Sequence, residues 1–214
     1  MKRRQSRGAV ELPEPIQPFR DLSGGALCLD FANTAENPGD EYPVDYLFPG
    51  YGNLVTWLLH AEILDTATAT SLMRAARRDP REAVQVRRRA IALRDAIRAA
   101  ALRNAGKDDL QVLQDEWHQA SAHRLLTPDP ERGMLHWHWP TSKRLDAPLW
   151  PIIASAIDLL TTDHGDRLRS CAATGCTSLF LDTTRNGNRR FCQAQGCGNR
   201  TRVRRFRESR NSAP

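Results

Sequence analysis

Residues 171–176 read Cys-Ala-Ala-Thr-Gly-Cys, and residues 192–197 read Cys-Gln-Ala-Gln-Gly-Cys. Four residues separate the cysteines within each pair and fifteen separate the pairs. Zinc held by four thiolates needs two close pairs brought together by a longer loop, and both pairs fall within the spacing of structural zinc sites. Cys171, Cys176, Cys192 and Cys197 are therefore read as the ligands of one structural Zn2+. Four unrelated thiols would not be spaced symmetrically, and two disulfides are disfavoured in a reducing compartment. His164 is the nearest substitute ligand. A glycine just before the second cysteine of each pair, Gly175 and Gly196, suits the turn that points both sulfurs inward. Asn186-Gly187 lies midway between the pairs and is a strong hairpin signal. The expectation is a zinc-ribbon-like β-hairpin with strands 178–184 and 188–192. Four thiolates close the metal shell and leave no position for water or substrate. No nucleophile elbow, phosphate-binding glycine loop or His-Glu-x-x-His pair occurs elsewhere. An enzyme is not expected.

Charge sharpens the picture. Residues 1–166 carry 20 Lys or Arg against 23 Asp or Glu, whereas residues 167–214 carry 11 Arg against only Asp182 and Glu208. The basic character of a chain with formal net charge +6 belongs to this one region. Zinc with four thiolates is itself anionic, so arginines near the ligands, Arg169, Arg189, Arg190 and Arg200, can offset its charge and hydrogen-bond sulfur. Arg202, Arg204, Arg205, Arg207 and Arg210 lie beyond the last ligand. A helix over 200–210 would give Val203 and Phe206 as a short seam docked on the finger and leave arginines on other faces. A planar guanidinium fork suits phosphate, and Arg189, Arg190, Arg200, Arg202, Arg204, Arg205 and Arg207 are the nucleic-acid-binding candidates. DNA is the expected partner; an RNA-binding or protein-docking module is the alternative.

The same region resembles a known family. Cys197-Gly198-Asn199-Arg200 is the tetrapeptide of the CGNR zinc finger. Cys171, Cys176, Leu179-Phe180-Leu181-Asp182 and Arg189-Arg190-Phe191-Cys192 resemble that finger along its length, with Phe191 where many members carry Trp. Upstream, Gly25-Ala26-Leu27-Cys28-Leu29-Asp30-Phe31-Ala32-Asn33-Thr34 is similar to the opening of the ABATE domain, which precedes this finger in bacterial proteins. The resemblance implies a stress-induced transcription regulator and carries the four cysteines over as zinc ligands.

The remainder reads as mainly α. Asp79-Pro80-Arg81-Glu82 is a helix start, and Val86, Ala90, Leu93, Ile97 and Ala100 recur at helical spacing over the stretch that ends near Gly106. Arg87, Arg88, Arg94 and Arg98 fall largely outside that stripe. Further helices are expected at 25–33, 54–61, 66–77, 109–124 and 148–162. Residues 134–139, Met-Leu-His-Trp-His-Trp, alternate as a strand, with His136 and His138 on one face and Trp137 and Trp139 on the other; with no third ligand in sight, the histidine pair is read as packing or surface rather than as a metal site. Asp30 and Asn33 share a helical face and are candidates for binding a small effector, or else for fixing the first helix through backbone bonds. Cys28, between two leucines, reads as a small buried hydrophobe.

The expected organisation is a flexible basic, Pro-rich N-terminus at 1–19, a helical ABATE-like domain at 20–164, the finger at 165–210, and a tail at 211–214. No stretch reaches the roughly 18 apolar residues of a membrane span. The basic start at Lys2-Arg3-Arg4 is followed by polar residues and prolines rather than a signal-peptide core, so a cytoplasmic protein is expected, with metal loss unfolding the finger and sparing the helical domain.

Overall fold

The computed structural model describes residues 12, 22–36, 44–47, 49–129 and 131–211, so all of the 1–19 segment except Leu12 and most of the 211–214 tail lie outside the described residues. The helices are α1 (Leu27–Ala32), α2 (Tyr51–His60), α3 (Thr66–Arg78), α4 (Pro80–Ala101), α5 (Lys107–Ser121), α6 (Leu149–Thr161) and α7 (Asn199–Asn211). Three two-stranded antiparallel sheets accompany them: β1 (Ala35–Glu36) with β2 (Val44–Asp45), β3 (Leu125–Pro128) with β4 (Leu135–His138), and β5 (Leu168–Ser170) with β6 (Leu179–Leu181). No helix among the described residues is long and apolar enough to cross a membrane.

α4 is the central element. Asp79 caps it by accepting from the Glu82 N–H at 2.9 Å, and Pro80 occupies its first position, where a missing N–H costs nothing. Val86, Ala90, Leu93 and Ile97 are buried as the stripe predicts. A second face of α4 is buried as well, because α1, α5 and α6 pack around it. Arg94, expected outside, is only 4% exposed and pairs with Asp45 at 2.7 Å and Asp95 at 2.9 Å. Arg89 forms a two-pronged pair with Glu116, both contacts 2.8 Å, and reaches Asp146 at 3.4 Å.

β4 keeps the expected alternation. His136 and His138 both approach the Thr127 hydroxyl, at 3.4 and 3.1 Å, while the Arg124 guanidinium lies over the rings of Trp137 and Trp139. Its partner β3 has no comparable alternating signal in sequence.

The C-terminal hairpin is not the expected one. β6 pairs with β5, upstream of the first cysteine, with Leu168 opposite Leu181 and Ser170 opposite Leu179. Asn186-Gly187 does form a turn, the Gly187 N–H bonding to the Thr184 carbonyl at 3.2 Å, but residues 188–192 make no strand with β6. The reason is packing. Leu179 belongs to the helical core and Leu168 and Leu181 pack against it, whereas Asn188-Arg189-Arg190 offers no apolar side chain for that face. Segment 188–192 instead runs beside the first cysteine pair, the Ala172 N–H bonding to the Arg190 carbonyl at 2.9 Å.

Candidate metal centre

Cys171 extends the β5–β6 ladder, its N–H donating to the Ser178 carbonyl at 2.9 Å. The chain then turns through Gly175, whose φ of 73° lies in the left-handed region that a side chain disfavours, and reaches Cys176. The second pair is shaped differently. Residues Ala194–Gly198 form a π-helical turn closed by the Gly198 N–H on the Gln193 carbonyl at 3.0 Å, and Gly196 needs no left-handed backbone there. The turn leads into α7, where the buried Thr201 hydroxyl donates to the Cys197 carbonyl at 2.9 Å.

These two turns bring the four Sγ atoms within 4.8 Å of one another. Cys176 and Cys192 are 3.8 Å apart, and Cys192 and Cys197 are 3.6 Å apart. Tetrahedral zinc with Zn–S bonds of about 2.3 Å places its sulfurs roughly 3.8 Å from each other. The cluster therefore fits one zinc ion, and the four cysteines are positioned to bind it. Among the described residues no other group of three or more His, Cys, Asp or Glu comes together in this way.

Donors surround the sulfurs. The Cys192 N–H points at Cys171 Sγ at 3.4 Å, and the Arg200 guanidinium donates to Cys197 Sγ at 3.1 Å. Ser178 Oγ lies 3.4 Å from Cys176 Sγ. The hydrogen bond with Cys192 holds the Cys176 thiol well below its ordinary value, while that same contact and burial push Cys192 up. Without a cation the sulfurs cannot all be ionised together; a bound divalent ion removes that conflict.

Asp182 organises the loop between the pairs. Its carboxylate is fully buried and accepts from the Thr184 N–H, the Thr184 hydroxyl and the Arg189 N–H. The Thr184 hydroxyl bond leads the effects that hold its carboxyl below the usual range. Nothing in the sequence but its place in the Leu-Phe-Leu-Asp run marks this residue.

The arginine candidates divide. The Arg189 side chain turns inward, donating to the carbonyls of Phe191, Cys192 and Ser23 and lying over the Phe180 ring with its carbon 4.4 Å from the centroid. Arg200 serves sulfur, and Arg204 donates to the Thr174 hydroxyl at 2.8 Å with Glu208 3.7 Å away. Arg190, Arg202, Arg205 and Arg207 are exposed, and the last three have no acidic partner among the described residues. Val203 and Phe206 are not docked on the finger; they are 41% and 62% exposed. Arg200, Thr201 and Arg204, in the first turns of α7, bond to the module, while the seam is left exposed.

Asp30 and Asn33 both spend their side chains on backbone. Asp30 accepts from the Gly24 N–H at 2.7 Å and fixes the turn before α1. Burial pushes its carboxyl up. The Asn33 side-chain amide donates to the Leu179 carbonyl and accepts from the Leu179 N–H, each at 2.8 Å. Asn33 thus pairs with β6 as a neighbouring strand would. The Leu181 N–H adds a bond to the Gly24 carbonyl at 2.7 Å, and Arg98 on α4 donates to the Thr177 carbonyl at 2.6 Å. Cys28 is fully buried, its thiol pushed up to about 11 by that burial, in keeping with a packing role.

No curated protein matches the chain. Two family models do. One, ABATE, described as "Putative stress-induced transcription regulator", matches residues 25–163, and the CGNR zinc finger matches residues 167–210. The first model covers well over half of the sequence and the second takes in all four sulfurs of the cluster, so the chain belongs to the ABATE family and carries a CGNR zinc finger.

Proposed function

We propose that the protein is a zinc-dependent transcriptional regulator of the stress response that binds DNA through its arginine-rich finger, and that it is not an enzyme. The observation that supports this most is α7. Its first turns are tied to the zinc ligands by Arg200 and Thr201, while Arg202, Arg205 and Arg207 project from it without acidic partners among the described residues. A rigidly seated helix that presents guanidinium groups is suited to phosphates and to the edges of bases in a groove. In a bacterial cell such a protein would be cytoplasmic and associated with the nucleoid. The helical domain would supply the input.

The test is binding of the zinc-loaded full chain to duplex DNA across a salt series. The logarithm of the binding constant should fall with the logarithm of salt by about 0.9 for each phosphate contacted. Replacing Arg202, Arg205 and Arg207 together by Ala should flatten the slope; an unchanged slope would remove these residues from the contact. Phe206, exposed beside Arg210 with 5.8 Å between guanidinium carbon and ring centroid, favours a second reading in which an unpaired base stacks there. Single-stranded DNA or RNA binding more tightly than duplex at one salt concentration would select it.

A further inference from the structure

A cavity of about 480 Å³ lies between the α2–α3 turn, residues 138–142 and the first turn of α6. That size is ordinary for a small-molecule site. Its walls include the indoles of Trp139 and Trp150 and three prolines. Its charged lining residues are Glu62 and Asp65, with no Lys or Arg among them, in a chain of formal net charge +6.

Two further features shape the site. Trp150 is 2% exposed, with its indole N–H buried. The ring is stacked on His123 at 4.2 Å and tilted against Trp139 at 6.0 Å, so the indoles are held in place before anything binds. Glu62 is the second feature. It follows the end of α2 with φ of 57°, its N–H bonded to the Leu59 carbonyl and the next N–H to the Leu58 carbonyl. Glycine is the favoured residue in that left-handed position, and a glutamate there costs stability. What the position gains is an exposed acidic residue among those that line the cavity. Asp65 is already engaged in capping α3 through the Thr68 N–H at 2.6 Å, which leaves Glu62 as the carboxylate for a ligand.

We propose that this cavity binds a small organic cation, a quaternary or substituted ammonium, with its apolar groups against the indoles and its charge beside Glu62. Indole faces attract such cations, and Arg124, which does not line the cavity, already lies over Trp139 with its guanidinium carbon 5.7 Å from the ring centroid. The site is independent of the zinc finger and of DNA binding.

The test uses the zinc-loaded full chain with choline and its uncharged isostere 3,3-dimethylbutan-1-ol, followed by titration calorimetry and tryptophan fluorescence. Choline is expected to bind at millimolar concentration, at least about fivefold more tightly than the isostere. Glu62→Gln should weaken choline by a similar factor while zinc content and helicity stay unchanged. Glu62→Gly separates ligand from fold, since it should raise Tm by a few degrees and still lose choline, roughly as relief of a left-handed side chain predicts. Equal binding of choline and the isostere, unaltered choline binding by Glu62→Gln, or no heat of binding at about 50 mM choline would each overturn the proposal.

Discussion

Arg200 and Arg189 stand eleven positions apart in one basic run, and their surroundings give them different work. Arg200 donates to a ligand sulfur, so Arg200→Ala should lower zinc affinity about 10- to 100-fold, as loss of a partner behind a metal ligand does; competition against a chromophoric chelator measures this. Arg202, two residues on, faces solvent, and its replacement by Ala should leave zinc affinity unchanged. The cysteines were legible in the sequence because a metal imposes spacing on its ligands. The arginines were not, since one residue type serves sulfur, carbonyls or solvent according to what the fold brings near. Asn33 is the clearest case of a residue whose role depends on a distant partner. Asn33→Ala should destabilise the protein by about 1–3 kcal/mol by leaving two backbone groups of Leu179 unsatisfied, and urea unfolding would show it.

At the level of elements, six helices were expected before the finger and six are present, and the longest, α4, was the most legible because its apolar residues recur with helical period and its cap, Asp79, is local. The long α4 stripe shows how far this goes: it located Val86, Ala90, Leu93 and Ile97 in the core but could not reveal that Arg94 is buried too, because that depends on Asp45 forty-nine residues away. The finger's hairpin was misplaced for a related reason. Asn186-Gly187 is a genuine turn, but the partner of β6 is chosen by where Leu179 and Leu181 can be buried, and that choice favours β5. Leu179→Ala removes a fully buried side chain and should cost about 2–5 kcal/mol. Hydrogen exchange should then quicken in α1 as well as in β6. Exchange confined to residues 168–200 would mean that α1 gains little from the contact.

Across the whole molecule, the finger and the helical body share one core through Leu168, Leu179 and Leu181. Spacing rules describe a self-contained module and led to the expectation that the body would be indifferent to metal. The shared core predicts instead that chelation lowers the melting temperature of the helical body along with that of the finger, read by the helical signal at 222 nm. An unchanged helical transition after complete zinc removal would contradict this. Acid should weaken the body through a separate group. Burial pushes the Asp146 carboxyl up, but hydrogen bonds and charge from Arg144 and Arg89 outweigh it and hold it below its ordinary value of 3.8. A depressed carboxyl contributes stability above that value and loses it as pH falls through the lowered one. Asp146→Asn should therefore be less stable than the parent at neutral pH, and the gap should close below about pH 3.8.

The amide of Asn33 occupies the flank of β6 where a third strand would otherwise lie. A finger transplanted onto an unrelated carrier would leave that flank bare, with a peptide N–H and C=O ready to recruit whatever extended chain drifts past. Grafts of the module should stay monomeric only when the segment beginning at Gly24 travels with them.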